Sequence, residues 1–478
     1  MLGLIILISV ISAPTDPASK LLEEYLSIPS DTPNHGTEAA AKFWMREAHF
    51  LDLQAMEWTL DSTGKCKNFI TYLPATSENP GRPILLLHHG DTKAANESAW
   101  AHPPFKPEWV EAKNDWELYG RGAIEGKGAG VTHWMAFKTL REKQRSRDIF
   151  FVMTCGSENS DSRGAEAFVN FFIKPIPNVT YDLSTADKLE LAVVLSTFLH
   201  LQNIEFVWNG GSFGEKTPIA PYILAPIATS QKGRWLGEII VSPANEADAS
   251  TNSPGEFLKQ GAEAFNKKNQ NFIESIRSLH TEMKDLVVSV STALPIWERI
   301  INLFHPRYFF ESRGLHSLVT SWWYPKKIRS EPLATNSIAV RASMELEYRF
   351  LGEKEDSEIK RDINKIFERQ NFSKKMKLAI ETKNYNPFRR DFFQGSESEI
   401  FKQVIGSYPQ TIVTPYITPR LTDSRYFRMA GIRAFDFTPF FLTDAEIEST
   451  QGANEHLPHL ELLRAIEIET MILEKLLR

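Results

Sequence analysis

The stretch from Ile84 to Asp91, ILLLHHGD, constrains the fold more than any other part of the chain. An apolar run bounded by Arg82-Pro83 and by Gly90 has the length of a strand buried on both faces, and it ends abruptly in two histidines and an aspartate. Strands covered on both sides belong to sheets flanked by helices, and chemistry in such folds gathers where the strands end. The spacing His89-Gly90-Asp91 lets the imidazole bind a metal while the carboxylate, two residues on, orients it from behind.

The rest of the first half repeats this pattern. Helical periodicity runs from Pro17 to Glu57 through Leu21, Leu22, Tyr25 and Leu26, then through Ala39, Phe43, Trp44 and Phe50. Strands are expected at Phe69 to Leu73, Ile149 to Met153, Leu191 to Leu195 and Ile204 to Trp208, with a helix from Val131 to Arg145. The segment from Asp91 to Glu117, rich in Trp and Pro, reads as a long loop. Alternation of strands and helices implies an α/β fold on a mixed, largely parallel sheet.

Beyond Gly233 the texture changes. Residues 256 to 284 space Phe257, Phe265, Phe272, Ile276 and Leu279 as on an amphipathic helix. From Ile338 to Phe350 apolar and polar residues alternate, the pattern of a half-buried antiparallel strand. An inserted α+β domain is therefore placed at 233–392, between the two parts, 14–232 and 393–478, of the α/β domain. The chain closes on a helix whose apolar stripe is read through Leu460, Leu463, Ile466, Met471 and Leu477.

A length of 478 residues suits two domains, and a net charge of -6 with no dense Lys/Arg run argues against a nucleic-acid partner. The apolar run Leu2 to Ile11, followed by small residues, reads as a signal-peptide core within residues 1–13, cleaved near Ser12 or Ala13; a buried N-terminal strand or helix is the alternative. It is too short to span a bilayer. Sequons at Asn96, Asn178 and Asn371 agree with a secreted glycoprotein in the extracellular space or secretory lumen. Cys66 and Cys155 are the only cysteines, and the sequence leaves open one disulfide or two buried thiols.

Polar clusters end the apolar runs: His89-Gly90-Asp91, Gly120 to Gly128, Ser157-Glu158-Asn159 and Asn209-Gly210-Gly211. With WAHPPF, TDSRYF and QGANEH, their order resembles the dinuclear zinc peptidases and amidohydrolases of the carboxypeptidase S and aminoacylase-1 family, which includes secreted N-fatty-acyl-amino-acid hydrolases. The resemblance implies two zinc ions sharing a water that attacks an amide carbonyl. Carried over by position, His89 is a ligand, Asp91 its orienting partner, Glu125 the bridging carboxylate and Glu158 the general base. Arg425 matches an arginine that holds the substrate's carboxylate, and Asn336 an asparagine of the inserted domain that reaches the substrate.

The departures are concentrated at the ligands. Asn159 stands at a glutamate ligand, Asn209 at a carboxylate ligand and Gln451 at the C-terminal histidine, and neutral amides are poor zinc donors. A register shifted by one would make Glu158 the ligand and put Ser157 at the base, and His456 or His459 could replace Gln451. The inserted domain's expected histidine turn is VSPANEADAS, without histidine. Two readings result. One is a hydrolase-derived pseudoenzyme with no zinc or one weakly bound ion, retaining a small acyl-amino acid or peptide ligand through Arg425. The other is a one-zinc amidohydrolase or carboxypeptidase using His89, Glu125 and Asn209, with Glu158 as base. The sequence leaves open whether a homodimer forms.

Overall fold

The computed structural model describes residues 13–31, 34–59, 64–113, 115–158, 164–173, 203–216, 223–244, 254–269, 321–332, 339–369, 376–390, 395–418 and 420–478. The chain divides into two units. One comprises Met1–Ala228, Asp391–Thr414 and Thr422–Arg478, the other Thr229–Arg390 and Pro415–Leu421.

The first unit begins with helices α1 (Pro17–Leu26) and α2 (Glu38–Phe50), followed by strands β1 (Ala55–Thr59), β2 (Lys67–Leu73) and β3 (Gly81–His89). Asp16 caps α1 by accepting the Ser19 backbone N–H, and Pro17 sits where a helix needs no donor. Phe50, counted in the expected apolar stripe of α2, is 70% exposed, because the helix ends there and Leu51 turns the chain. The expected loop from Asp91 to Glu117 instead contains β4 (Glu108–Glu111) and runs into β5 (Trp116–Tyr119). β4 and β5 pair with each other, and the other edge of β5 pairs with β16 (His456–Pro458), more than three hundred residues away, a pairing no local pattern reveals.

Helix α3 (Lys127–Thr139) starts one turn before the expected Val131 and stops before Arg145. Arg145 ends it from outside, donating to the carbonyls of Leu140, Arg141 and Lys143. Then come β6 (Arg147–Thr154), α4 (Gly164–Phe168), β7 (Phe206–Lys216) and β8 (Ile223–Gln231). The Asn209-Gly210-Gly211 stretch, read as the end of a strand, lies inside β7.

The second unit holds β9 (Gly233–Pro243), α5 (Pro254–Asn269), β10 (Trp322–Pro332), β11 (Ala339–Phe350), α6 (Asp356–Arg369), β12 (Met376–Asn386) and β13 (Arg389–Arg390). Its sheet runs β10-β11-β9-β12, antiparallel throughout, as the alternation in β11 implies. Ala342, Met344, Leu346, Tyr348 and Phe350 are buried as expected, but Ser343 and Glu347 on the opposite face are buried too. Glu347 is held by Arg234, Lys326 and Arg349. The expected strand Leu191 to Leu195, and the expected helical positions Phe272, Ile276 and Leu279, lie outside the described residues.

The chain finishes with α7 (Ser396–Ile405), β14 (Thr411–Thr418), α8 (Ser424–Met429), β15 (Arg433–Leu442), α9 (Asp444–Ser449), β16 and α10 (His459–Leu476). In the first unit the strand order is β1-β2-β6-β3-β7-β15-β8. The central four, β6, β3, β7 and β15, are parallel, and antiparallel strands flank them. Leu86, Phe151 and Trp208 pack on one face against Trp44, Trp134 and Leu473. Leu85, Leu87, Val152 and Val207 pack on the other against Phe168, Phe172 and Phe427. Each such side chain fully withdrawn from water contributes about 1.5–3 kcal/mol.

Helix α10 buries Leu462, Ala465, Ile468, Ile472, Leu473 and Leu476, whereas Leu460, Leu463 and Met471 of the expected stripe are exposed. Two glutamates on the core face hid the true stripe. Glu469 meets His133 at 2.8 Å, and Glu461 accepts the Phe441 backbone N–H at 2.9 Å. Among the described residues no helix is long and apolar enough to cross a membrane.

Candidate functional site

Parallel pairing brings the carboxyl ends of β6, β3 and β7 to one side of the sheet, with His89 opposite Thr154 and Leu87 opposite Asn209. His89 is in phase with Leu85 and Leu87, so it lies on the α4/α8 face of the sheet; His88 turns the other way into an aromatic cage of Tyr25, Trp44 and Phe151. All the site residues described below belong to the first unit.

Asp91 ties two strand ends together. Its carboxylate accepts the backbone N–H of Ser157 at 3.1 Å and of Glu158 at 2.9 Å. Its carbonyl oxygen lies 2.9 Å from His89 Nδ1, and its Oδ1 lies 3.6 Å from the same nitrogen. The orienting role read for Asp91 thus falls partly to its backbone. Cys66 and Cys155 form a disulfide with Cα atoms 5.3 Å apart, fastening the start of β2 to the segment that leads to Glu158.

Glu125 reaches the same place from the turn before α3. Gly126 has φ +80°, and a Cβ there would stand 2.8 Å from His89 Cε1, so only glycine allows the imidazole to approach this turn. Glu455 fixes the turn from below. Its buried carboxylate accepts the N–H groups of Gly122 and Ile124 at 3.1 Å and of Glu125 at 3.2 Å, and pairs with Arg121. Glu455 belongs to the QGANEH stretch, but its acceptor role is readable only once the two segments meet.

His89, Glu125 and Glu158 each offer a ligand-type atom, and these atoms lie within 4.8 Å of one another. Their electrostatics agree with that geometry. Burial disfavours a charged His89, yet the Asp91 bond and the charges of Asp91, Glu158 and Glu125 outweigh it and raise the pKa to about 10. Burial raises Glu158 to about 7, with Glu125 and Asp91 pushing the same way against His89 and Lys93. Acidic groups crowded around one imidazole favour a cation in their midst.

The other expected site residues are distributed differently. Gln451 donates its amide N–H to Glu158 Oε1 at 2.6 Å and takes the Lys93 ammonium on its Oε1. Asn209, expected beside His89 and Glu125, gives its amide N–H to Asp436 at 2.7 Å; Asp436 also holds Ser424 and Arg428. Glu158 joins His89 and Glu125 in one group of ligand-type atoms. His456 is turned to the Asn454 carbonyl and His459 to Asp16, so neither replaces Gln451. Arg425 donates to the Thr422 carbonyl and to the Tyr426 hydroxyl while lying over the Tyr426 ring, and its Nε is buried without a partner among the described residues. Asn159 and Asn336 lie outside the described residues. Sequence reasoning missed Lys93, an ordinary loop lysine, and Asp423, whose buried carboxylate accepts from Thr154 and senses the charges of His89 and Asp91.

Solved structures share this architecture. The M20 family metallo-carboxypeptidase Sso-CP2 from Sulfolobus solfataricus matches at 15% identity and TM-score 0.65, over 96% of this chain and 99% of its own. Human carnosine dipeptidase 1 matches at 12% identity and TM-score 0.60, over 95% and 96%. The Bacillus subtilis YXEP protein, described as a dinuclear metal binding peptidase from the M20 family, matches at 10% identity and TM-score 0.58, over 96% and 97%. At such identities these likenesses speak for the fold. The sequence profile of peptidase family M20/M25/M40 matches residues 85–478, from β3 to the last residue, and the chain therefore belongs to that family.

Proposed function

We propose that this family member has lost the dinuclear centre, holds at most one divalent cation, and serves chiefly to bind an N-acyl amino acid or peptide by its carboxylate. The supporting observation is the engagement of its two amides. Asn209 is taken by Asp436, and Gln451 by Glu158 and Lys93, at the positions where the resemblance calls for a carboxylate and an imidazole. The described carboxylate and imidazole donors that meet are His89, Glu125 and Glu158, a set that supports one ion. When bound, such an ion would supply Lewis-acid polarisation of a carbonyl. Asp91 would orient His89, and Arg425 would offer its planar fork to the ligand's carboxylate. The specific kinship is with the carboxypeptidase S and aminoacylase-like branch. A secretory location is supported by the N-terminal apolar run, by the disulfide and by the exposed sequon at Asn96.

A second reading, a one-zinc amidohydrolase, is favoured by the convergence of His89, Glu125 and Glu158. Elemental analysis and hydrolysis assays on N-acyl amino acids separate the two. The binding reading expects no more than one loosely held zinc and no amide cleavage. Stoichiometric, tightly held zinc together with hydrolysis abolished by Glu158→Gln would establish the enzyme instead.

A further inference from the structure

Lys93 leaves the backbone two residues after Asp91, at a point that is itself anchored. Thr92 donates its N–H to the Ser30 carbonyl and forms a parallel bridge with Asp31, so the root of the Lys93 side chain is fixed beside the site. From there the ammonium reaches Gln451 Oε1 and lies 4.0 Å from Glu158 Oε2. Gln451 closes the ring by donating to Glu158 Oε1 at 2.6 Å. The amide is therefore polarised, its oxygen toward the cation and its N–H toward the carboxylate, the orientation that a positive charge at Lys93 and a negative one at Glu158 dictate. Gln451 is held in this position with φ +61°, a conformation unusual for a residue with a side chain.

We propose that the Lys93 ammonium is a built-in cation that takes the electrostatic place of a second metal ion, through Gln451 and Glu158, and so restricts the pocket to one divalent cation. The proposal rests on the one-cation reading above and adds its cause. Asp91, Glu125 and Glu158 surround one imidazole, and Lys93 supplies a second positive charge from the chain itself. Any ion approaching Glu158 must displace or repel that charge. The Lys93 side chain is half-exposed, so the penalty is moderated by solvent and the first ion is weakened rather than excluded.

Zinc titration of the full chain by calorimetry at about pH 7 tests this, with cobalt(II) absorption as a second readout. Lys93→Met is expected to tighten divalent-ion binding by about tenfold or more. Lys93→Arg, which keeps the charge, should bind as the wild type does. Gln451→His alone should gain no second equivalent, whereas Gln451→His combined with Lys93→Met should. Thermal unfolding of each variant without metal verifies that the chain is folded. Affinity within about threefold of wild type in Lys93→Met, including no binding in either, overturns the proposal. So does a second equivalent taken up by Gln451→His with Lys93 in place. Failure of the one-cation reading is distinguishable, since it would show in the wild type as two equivalents or as zinc binding indifferent to His89→Ala.

Discussion

Replacing Glu455 by glutamine changes one atom and should unfasten the turn that carries Glu125. Glu455 Oε1 accepts the N–H groups of Ile124 and Glu125, and Oε2 accepts that of Gly122 together with Arg121 Nη1 at 3.2 Å. A glutamine has one acceptor oxygen, so either orientation of its amide points an NH2 group at two donors. Two hydrogen bonds are lost, and each buried orphaned donor costs about 1–3 kcal/mol. Arg121 is only 5% exposed and would keep its stacking on Trp100 but not its counter-charge. Breaking one partner of a buried pair costs about 3–5 kcal/mol, which overlaps the hydrogen-bond figure rather than adding to it. Glu455→Gln should therefore destabilise the protein by about 3–5 kcal/mol, a large share of the 5–15 kcal/mol typical of a folded domain. Urea denaturation followed by tryptophan fluorescence measures the loss, and amide hydrogen exchange at Gly122, Ile124 and Glu125 localises it. A loss below about 1 kcal/mol, or exchange unchanged at those amides, would refute the cradle as an energetic element.

Other perturbations test other parts of the molecule. Removing the disulfide by Cys66→Ser with Cys155→Ser opens a link across 89 residues and should cost about 2–4 kcal/mol, read as a lowered urea midpoint; an unchanged midpoint would speak against the link. Burial holds the Glu469 carboxyl above its ordinary value of 4.5, against the opposing His133. A raised folded pKa gives stability that is fully present below the unfolded value and is lost as pH rises through the folded one. The stability of Glu469→Gln relative to wild type should accordingly climb with pH above 4.5, and a flat difference would contradict the upward shift. Arg425→Lys keeps the charge but not the fork, and should weaken an N-acyl amino acid by about tenfold or more while leaving its carboxamide analogue unaffected. Equal loss for both ligands in a calorimetric titration would remove Arg425 from carboxylate recognition.

Local pattern was a good guide where one residue's neighbours decide its fate. The four apolar residues before His88 could only be a covered strand, and the alternation through Met344, Leu346 and Tyr348 could only be one flank of a sheet. It failed where distant segments decide. β5 reads as loop because its second partner, β16, lies far along the chain. The stripe of α10 is hidden because Glu461 and Glu469 turn their carboxyl groups to the Phe441 backbone and to His133, which the helix sequence cannot show. At the site, His89, Glu125 and Glu158 were singled out from the sequence and meet in space. Lys93 and Asp436 were not, since their meaning comes from Gln451 and Asn209, each more than two hundred residues away.

Asp91 shows how this pocket is braced from within the chain. Each oxygen of its carboxylate accepts one backbone amide and its carbonyl faces His89, so the chain's own groups clasp the strand ends. Selection on architecture and selection on reactivity can then act on separate atoms, since Asp91 serves the strand ends whatever His89, Glu125 and Glu158 do.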